Sequence, residues 1–159
     1  MAMRIGLGYD IHRLVPGSGF RLGGVDVACD FAVEAHSDGD VLLHALADAI
    51  LGAAALGDIG EHFPNTDERW KDADSRIIVS ETLRLADASG FAVGSVDANV
   101  FLEAPKLGPL KEDMRRAMAA LLNVDVDAVS VKARTFEELG PIGAGEAIGA
   151  QVAVILLST

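Results

Sequence analysis

Cysteine occurs once among the 159 residues, as Cys29. A lone thiol cannot close a disulfide within its own chain, which suits a reducing cytoplasm. Such a residue ordinarily serves as a small buried hydrophobe. Aromatic residues make up only 5%, so Ala, Val, Leu and Ile carry the apolar half of the composition. Small side chains of this kind suit helices packed closely on a sheet, and an oligomer interface can absorb them too. No apolar run reaches the roughly 18–20 residues that a helix needs to cross a bilayer. The opening Met-Ala-Met-Arg-Ile-Gly has neither the charged nor the apolar zone of a signal peptide. Positive charge is scarce as well: 13 Lys and Arg stand against 24 Asp and Glu, a formal charge of −11. That balance argues against nucleic acid or an anionic membrane surface as partner. A polyphosphate substrate would meet the same repulsion, and a bound metal ion is one way to overcome it.

What is present fits one compact domain over residues 1–159, long enough to bury a real core. Residues 3–9 and 20–28 read as strands around a Pro-Gly turn. Residues 38–56 read as a helix, with Asp38, Gly39 and Asp40 as cap candidates and an end near Gly57. A second helix is expected at 73–89, stopping at Gly90. A strand follows at 95–103, then a helix opening at Pro109 and running to Leu122. Strands at 129–135 and 148–157 complete the order. The pattern predicts an α+β two-layer sandwich, helices on one face of a mixed sheet. In the strand at 129–135, Val129, Val131 and Ala133 share one face and Ser130, Lys132 and Arg134 the other, a mixed surface that suits solvent or a subunit interface.

Asp10-Ile11-His12 is placed at the end of the first strand. Residues two apart in a strand point the same way, so a carboxylate and an imidazole project together. His44, in the first turns of the helix at 38–56, is a third candidate. Asp, His and His form an oxygen–nitrogen–nitrogen set that suits zinc and leaves a position open for water or substrate. The competing reading is ordinary polar residues at a strand end. Asp40, His44 and Asp48 recur at i, i+4 and i+8 and share one helix face. Asp48 either orients the imidazole of His44 or is a solvated charge. His36 and Ser37 lead into the helix N-terminus, where free N–H groups favour a phosphate; a plain capping turn is the alternative. The polar loop from Gly57 to Asp67 is long for its place. Its glycines allow close backbone approach, and Asp58 can accept from substrate hydroxyls. His62 is expected to be exposed.

Taken together these segments resemble the 2-C-methyl-D-erythritol 2,4-cyclodiphosphate synthase family of the non-mevalonate isoprenoid pathway. The resemblance rests on Arg4–His12, Leu22-Gly23-Gly24-Val25, Ala35–Asp40, Leu43–Ala49 and Gly52–Gly60. Phe63–Asp67, Ala73-Asp74-Ser75, Ala104-Pro105-Lys106 and Val131–Glu137 extend it over nearly the whole chain. It implies a cyclising, CMP-releasing phosphorus–oxygen lyase in which Asp10, His12 and His44 hold zinc. His36 and Ser37 would contact phosphates; Asp58, Ile59, Gly60, Phe63, Pro64, Asn65, Thr66 and Asp67 would hold the methylerythritol part. The cytidine diphosphate would lie against Ala104, Pro105, Lys106 and Leu107 and against Ala133, Arg134 and Thr135. Glu137 would ligate a second ion, magnesium or manganese. The resemblance also implies a homotrimer with active sites between subunits.

Departures fall late in the chain. Where the family commonly has an aromatic residue and an arginine lining a cavity on the trimer axis, this sequence has Pro141 and Ala144. Alanine cannot neutralise a diphosphate, so binding of isoprenoid diphosphates there is expected to be weak or absent. Arg134 stands where threonine is frequent and contacts either a nucleotide phosphate or an interface partner. Two other functions use the same residues: a zinc hydrolase with a metal-bound hydroxide, and a trimeric binding protein without catalysis. Intact Asp10, His12, His44, Asp58 and Glu137 weigh against the second.

Overall fold

The first strand, β1 (Met3–Pro16), sets the architecture of the computed structural model, which describes residues 1–159. Its side chains alternate across the sheet. Gly6, Gly8, Asp10, His12 and Leu14 take the inner positions, whereas Met3, Ile5, Leu7, Tyr9 and Ile11 stay between 44% and 71% exposed. After β1 the chain forms a small hairpin, β2 (Phe20–Leu22) and β3 (Val25–Val27), then the short β4 (Phe31–Glu34). There follow α1 (Val41–Ala54), the single turn α2 (Ile59–His62), α3 (Ser75–Ala88), β5 (Phe91–Phe101), α4 (Lys111–Leu122), β6 (Val129–Arg134), the single turn α5 (Gly140–Gly143) and β7 (Ala147–Ser158).

Five strands form one mixed sheet in the order β4-β1-β7-β5-β6. All neighbours run antiparallel except β5 and β6, a parallel pair joined by α4 as the crossover such pairs require. On the helix-covered face, Val96, Ala98 and Val100 of β5 and Ala150, Val152, Val154 and Leu156 of β7 build the core. The reading of helices on one face of a mixed sheet therefore holds.

α1 occupies the centre. All of its residues except Asp48 and Gly52 are buried, the mark of a helix covered on every side. It can lie so close to β1 because β1 presents bare backbone there. A Cβ on Gly6 would come 1.8 Å from the Ala49 carbonyl oxygen, and one on Gly8 would come 1.8 Å from that of Ala45. The two glycines thus seat α1, and with it His44.

Several boundaries differ from the sequence reading. The first strand does not stop near His12 but continues to Pro16, because β7 pairs with it as far as Arg13 and β4 pairs with residues 13–16. The stretch read as one strand at 20–28 is the β2–β3 hairpin, folded at Gly23 (φ +60) and Gly24 (φ +78), backbone values that glycine adopts without strain. The first helix begins at Val41 with Asp40 as its cap and ends at Ala54, ahead of Gly57. Strand β4 and the turns α2 and α5 had not been anticipated. α5 carries Ile142, 2% exposed, back toward Gly149 and Phe101. Cys29 is half-buried beside the core.

Candidate metal centre

The start of α1 is fixed before any ligand is considered. The Asp40 carboxylate, 0% exposed, accepts from Leu43 N–H at 3.0 Å, from Gly23 N–H at 2.8 Å and from Gly24 N–H at 2.8 Å. Burial pushes its pKa up, and these three N–H groups pull the other way by favouring the ionised form. One buried side chain therefore ties the helix to the β2–β3 hairpin and settles where His44, one turn along, emerges. Of the two readings of the helix N-terminus, a phosphate site or a plain capping turn, the structure favours the turn, because Asp40 caps it and Val41 and Leu42 are 0% exposed.

His44 meets β1 at its two inward polar residues. His12 Nε2 lies 3.0 Å and His44 Nδ1 3.1 Å from Asp10 Oδ2, and the two nitrogens are 3.1 Å apart. Burial alone would raise the Asp10 pKa, but hydrogen bonds and charge from both imidazoles outweigh it and hold the carboxyl at about 2. The ionised oxygen and two ring nitrogens form a triangle whose members lie within 4.8 Å of one another. Zinc bonds of about 2.0–2.2 Å in a tetrahedron set donors roughly 3.3–3.5 Å apart, so the triangle needs to open only slightly to take the ion. The donor set fits zinc.

The other ring nitrogen, His44 Nε2, stands 2.8 Å from Ser75 Oγ and 3.1 Å from Ser37 Oγ. Asp48, read as a partner of His44, does something else: its Oδ1 accepts from Ile59 N–H at 2.8 Å and so holds α2 against α1. Both ends of the imidazole are already engaged, which leaves Asp48 no nitrogen to orient. Desolvation raises the Asp48 pKa.

A cavity of about 410 Å³ opens from the triad, and His36, Ser37, Ile59, Gly60, Phe63 and Asn65 line it as expected. Trp70 and Glu34 also line it and had not been singled out. His36 Nε2 and Trp70 Nε1 are buried without a hydrogen-bond partner, which leaves polar capacity for a ligand. Asp58 caps α2 through Glu61 N–H at 3.0 Å and is exposed outside the lining. Pro64, Thr66 and Asp67 also lie outside it; Asp67 is engaged by Arg69 at 2.6 Å. His62 is half-buried rather than exposed and donates from Nε2 to the Leu56 carbonyl at 2.7 Å.

A second cavity, about 250 Å³, is lined by Pro105, Lys106, Leu107, Ala133, Arg134 and Thr135. Lys111, from the first turn of α4, joins them and had been overlooked. None of Lys106, Lys111 and Arg134 is in an ion pair. Glu103 also lines the hollow, its carboxylate accepting from Phe136 N–H and Glu138 N–H. Three cations thus outnumber one acidic group there in a chain of net charge −11, which favours an anion. Glu137 lies just beyond, exposed and in left-handed backbone (φ +51), accepting from Thr135 Oγ at 3.3 Å. The two cavities share no lining residue. Ile11, Gly149, Phe101 and Arg134 form one row across β1, β7, β5 and β6, three strand spacings or roughly 14 Å in all.

Residues 3–157 match the model of the YgbB family. The chain is 53% identical over 155 residues to 2-C-methyl-D-erythritol 2,4-cyclodiphosphate synthase of Pseudomonas fluorescens, covering 98% of this chain and 99% of that one. It is 56% identical over 153 residues to the same synthase of Xanthomonas oryzae, covering 96% and 94%. Among solved structures it superposes on Plasmodium falciparum IspF in complex with CDP at a TM-score of 0.87 and 34% identity, covering 99% and 97%.

Proposed function

Because the chain belongs to the YgbB family, we propose that its two cavities are the two halves of one active site for a cytidine diphosphate substrate. The reaction converts 4-diphosphocytidyl-2-C-methyl-D-erythritol 2-phosphate to 2-C-methyl-D-erythritol 2,4-cyclodiphosphate and CMP, a step of isoprenoid biosynthesis. The observation that carries this reading is the convergence of Asp10, His12 and His44 at the mouth of the first cavity.

An oxygen of the 2-phosphate forms a bond to the β-phosphorus as that phosphorus gives up the oxygen bridging it to the α-phosphate. The bridging oxygen leaves with CMP, so the class is a phosphorus–oxygen lyase. The attacking oxygen is already anionic, and no side chain has to remove a difficult proton. The chain must instead curl the substrate, hold the line of attack and balance charge. His36 and Ser37 face the phosphates. Backbone at Ile59 and Gly60 and the Phe63–Asp67 segment hold the methylerythritol part, whose hydroxyls donate to Asp58. Lys106 and Arg134, with the loop Ala104–Leu107 and the strand end Ala133–Thr135, hold the nucleotide. Asp10, His12 and His44 would hold zinc and Glu137 would hold magnesium or manganese, ions that would supply positive charge to the phosphoryl oxygens.

The assay to run first incubates the protein with this substrate and magnesium and follows products by mass spectrometry, with and without chelator. CMP and the cyclic diphosphate are expected, both lost on chelation, and Glu137→Gln should need more magnesium for the same rate. A linear phosphate product would mean hydrolysis instead.

The working unit is a homotrimer of single 159-residue domains, and the single unpaired Cys29 supports a cytoplasmic one. A run of exposed Ile5, Leu7, Tyr9 and Ile11 on one strand is the kind of apolar surface that marks an interface. Cavities with no residue in common, set on strands at opposite sides of β7 and β5, can meet when the second comes from a neighbouring chain. Sedimentation should find a trimer; a stable and fully active monomer would end this assignment.

A further inference from the structure

Ser75 has no part in the chemistry above, yet it is 0% exposed and stands against a ligand of the centre. Resting on the reading of that centre as a metal site, we propose that Ser75, held by Asp38, is the positioning residue that fixes the ring of His44 and the hydrogen on its Nε2.

The hydroxyl is not needed to start α3, because Asp74 caps that helix by accepting from Arg76 N–H. It is instead clamped: Asp38 Oδ2 accepts from Ser75 N–H at 3.0 Å, and Asp38 Oδ1 accepts from Ser75 Oγ. Asp38 is held in turn. Its N–H donates to the Ala73 carbonyl at 3.1 Å, and Oδ1 accepts from Asp40 N–H at 3.1 Å. A carboxylate only accepts, so the hydroxyl hydrogen goes to Asp38. Ser75 Oγ then has only lone pairs to offer His44 Nε2 at 2.8 Å. Nε2 therefore carries a hydrogen, and Nδ1 is the nitrogen turned toward Asp10 Oδ2 and His12 Nε2, each 3.1 Å away. In the opposite arrangement Ser75 donates to Nε2 and Asp38 loses a donor. Ser37 Oγ, at 3.1 Å, is a weaker second acceptor for the same N–H. A partner on the far nitrogen of a ligating imidazole commonly sets its orientation and metal affinity. Here the carboxylate acts one residue further out, through a serine.

Two readouts test this. Zinc affinity is measured by competition with a chromophoric chelator, and the hydrogen on His44 Nε2 is read from nitrogen–hydrogen correlation spectra of the metal-free protein. Ser75→Ala should weaken zinc binding at least about tenfold and deplete the hydrogen on Nε2. Ser75→Thr, which keeps the hydroxyl, should restore both. Asp38→Asn offers one carbonyl oxygen where the carboxylate serves three donors, so it should weaken zinc too, and it provides a second variant should Ser75→Ala not fold. A Ser75→Ala protein with zinc affinity within twofold of the parent and an unchanged Nε2 hydrogen overturns the proposal. If the parent itself binds no zinc, the metal reading fails, while the spectra still decide the role of Ser75.

Discussion

Replacing His44 with Ala should cost the protein its capacity to hold zinc and lower turnover by more than about a hundredfold. His44 is the one corner of the triangle that β1 does not supply; without it, Asp10 and His12 are left as two donors on a single strand. Two protein donors make a weak zinc site, because catalytic zinc is ordinarily held by three. The ring also fills space at 9% exposure and satisfies the hydroxyls of Ser37 and Ser75, so some loss of stability accompanies the loss of metal. Elemental analysis of dialysed protein separates these effects when paired with circular dichroism. A folded His44→Ala protein retaining a full complement of zinc would remove the centre from the mechanism. Asp10→Asn should behave alike, since an amide oxygen replaces a carboxylate held ionised by a pKa of about 2.

Gly8→Ala, like Gly6→Ala, is expected to be among the most damaging single-methyl changes in the chain. Its Cβ would stand 1.8 Å from the Ala45 carbonyl oxygen and 2.8 Å from Ala49 N, both backbone atoms of α1. A flexible side chain could swing aside, but a helix buried on all sides cannot, so α1 must lift off β1 as a body. Overpacking ordinarily costs about 1–3 kcal/mol. A clash with backbone at this depth belongs at or above the upper end of that range, a large share of a domain's net stability of about 5–15 kcal/mol. His44 precedes Ala45 directly, so the centre should be displaced along with the core. Gly52→Ala is the matched control on the same helix. Nothing lies within 4 Å of the added Cβ, and replacing glycine inside a helix should stabilise by about 0.5–1 kcal/mol. Urea unfolding of both variants tests the pair, and similar midpoints would refute this account of how α1 is seated.

The contrast between these positions shows where sequence is informative. Asp10 and His12 can be read as a pair because strand periodicity is local: residues two apart share a face whatever else the fold does. His44 needs the helix register as well, which its apolar neighbours provide. What could not be read is set by contacts distant in sequence. Ser75 and Asp38 both look like helix caps, and only the meeting of two loops 37 positions apart shows them gripping each other beneath His44. Asp48 was misread for a related reason: the i, i+4 spacing correctly places it on the face of His44, but spacing cannot tell which of two neighbours, an imidazole or the Ile59 N–H, will claim it. The true end of β1 was hidden by function itself. Residues 10–13 break the apolar alternation because they carry the site and its rim, so a strand that continues to Pro16 looks finished. The Gly23-Gly24 pair did carry a signal for a hairpin; it lay inside an otherwise strand-like run and was passed over.

The pairing of β1 with β7 bears on when this site can exist at all. The first strand of the chain is completed by the last, with Met3 opposite Leu157 and Asp10 opposite Ala150. A chain in which β7 has not docked has no partner for that whole edge of β1, and α1 has lost part of the floor it lies on. The metal triangle is built from residues 10 to 44, yet its rigidity waits for residues beyond 146. Order at the triangle is thus coupled to the docking of a strand far away in sequence, and a chain without β7 in place would lack the preset geometry.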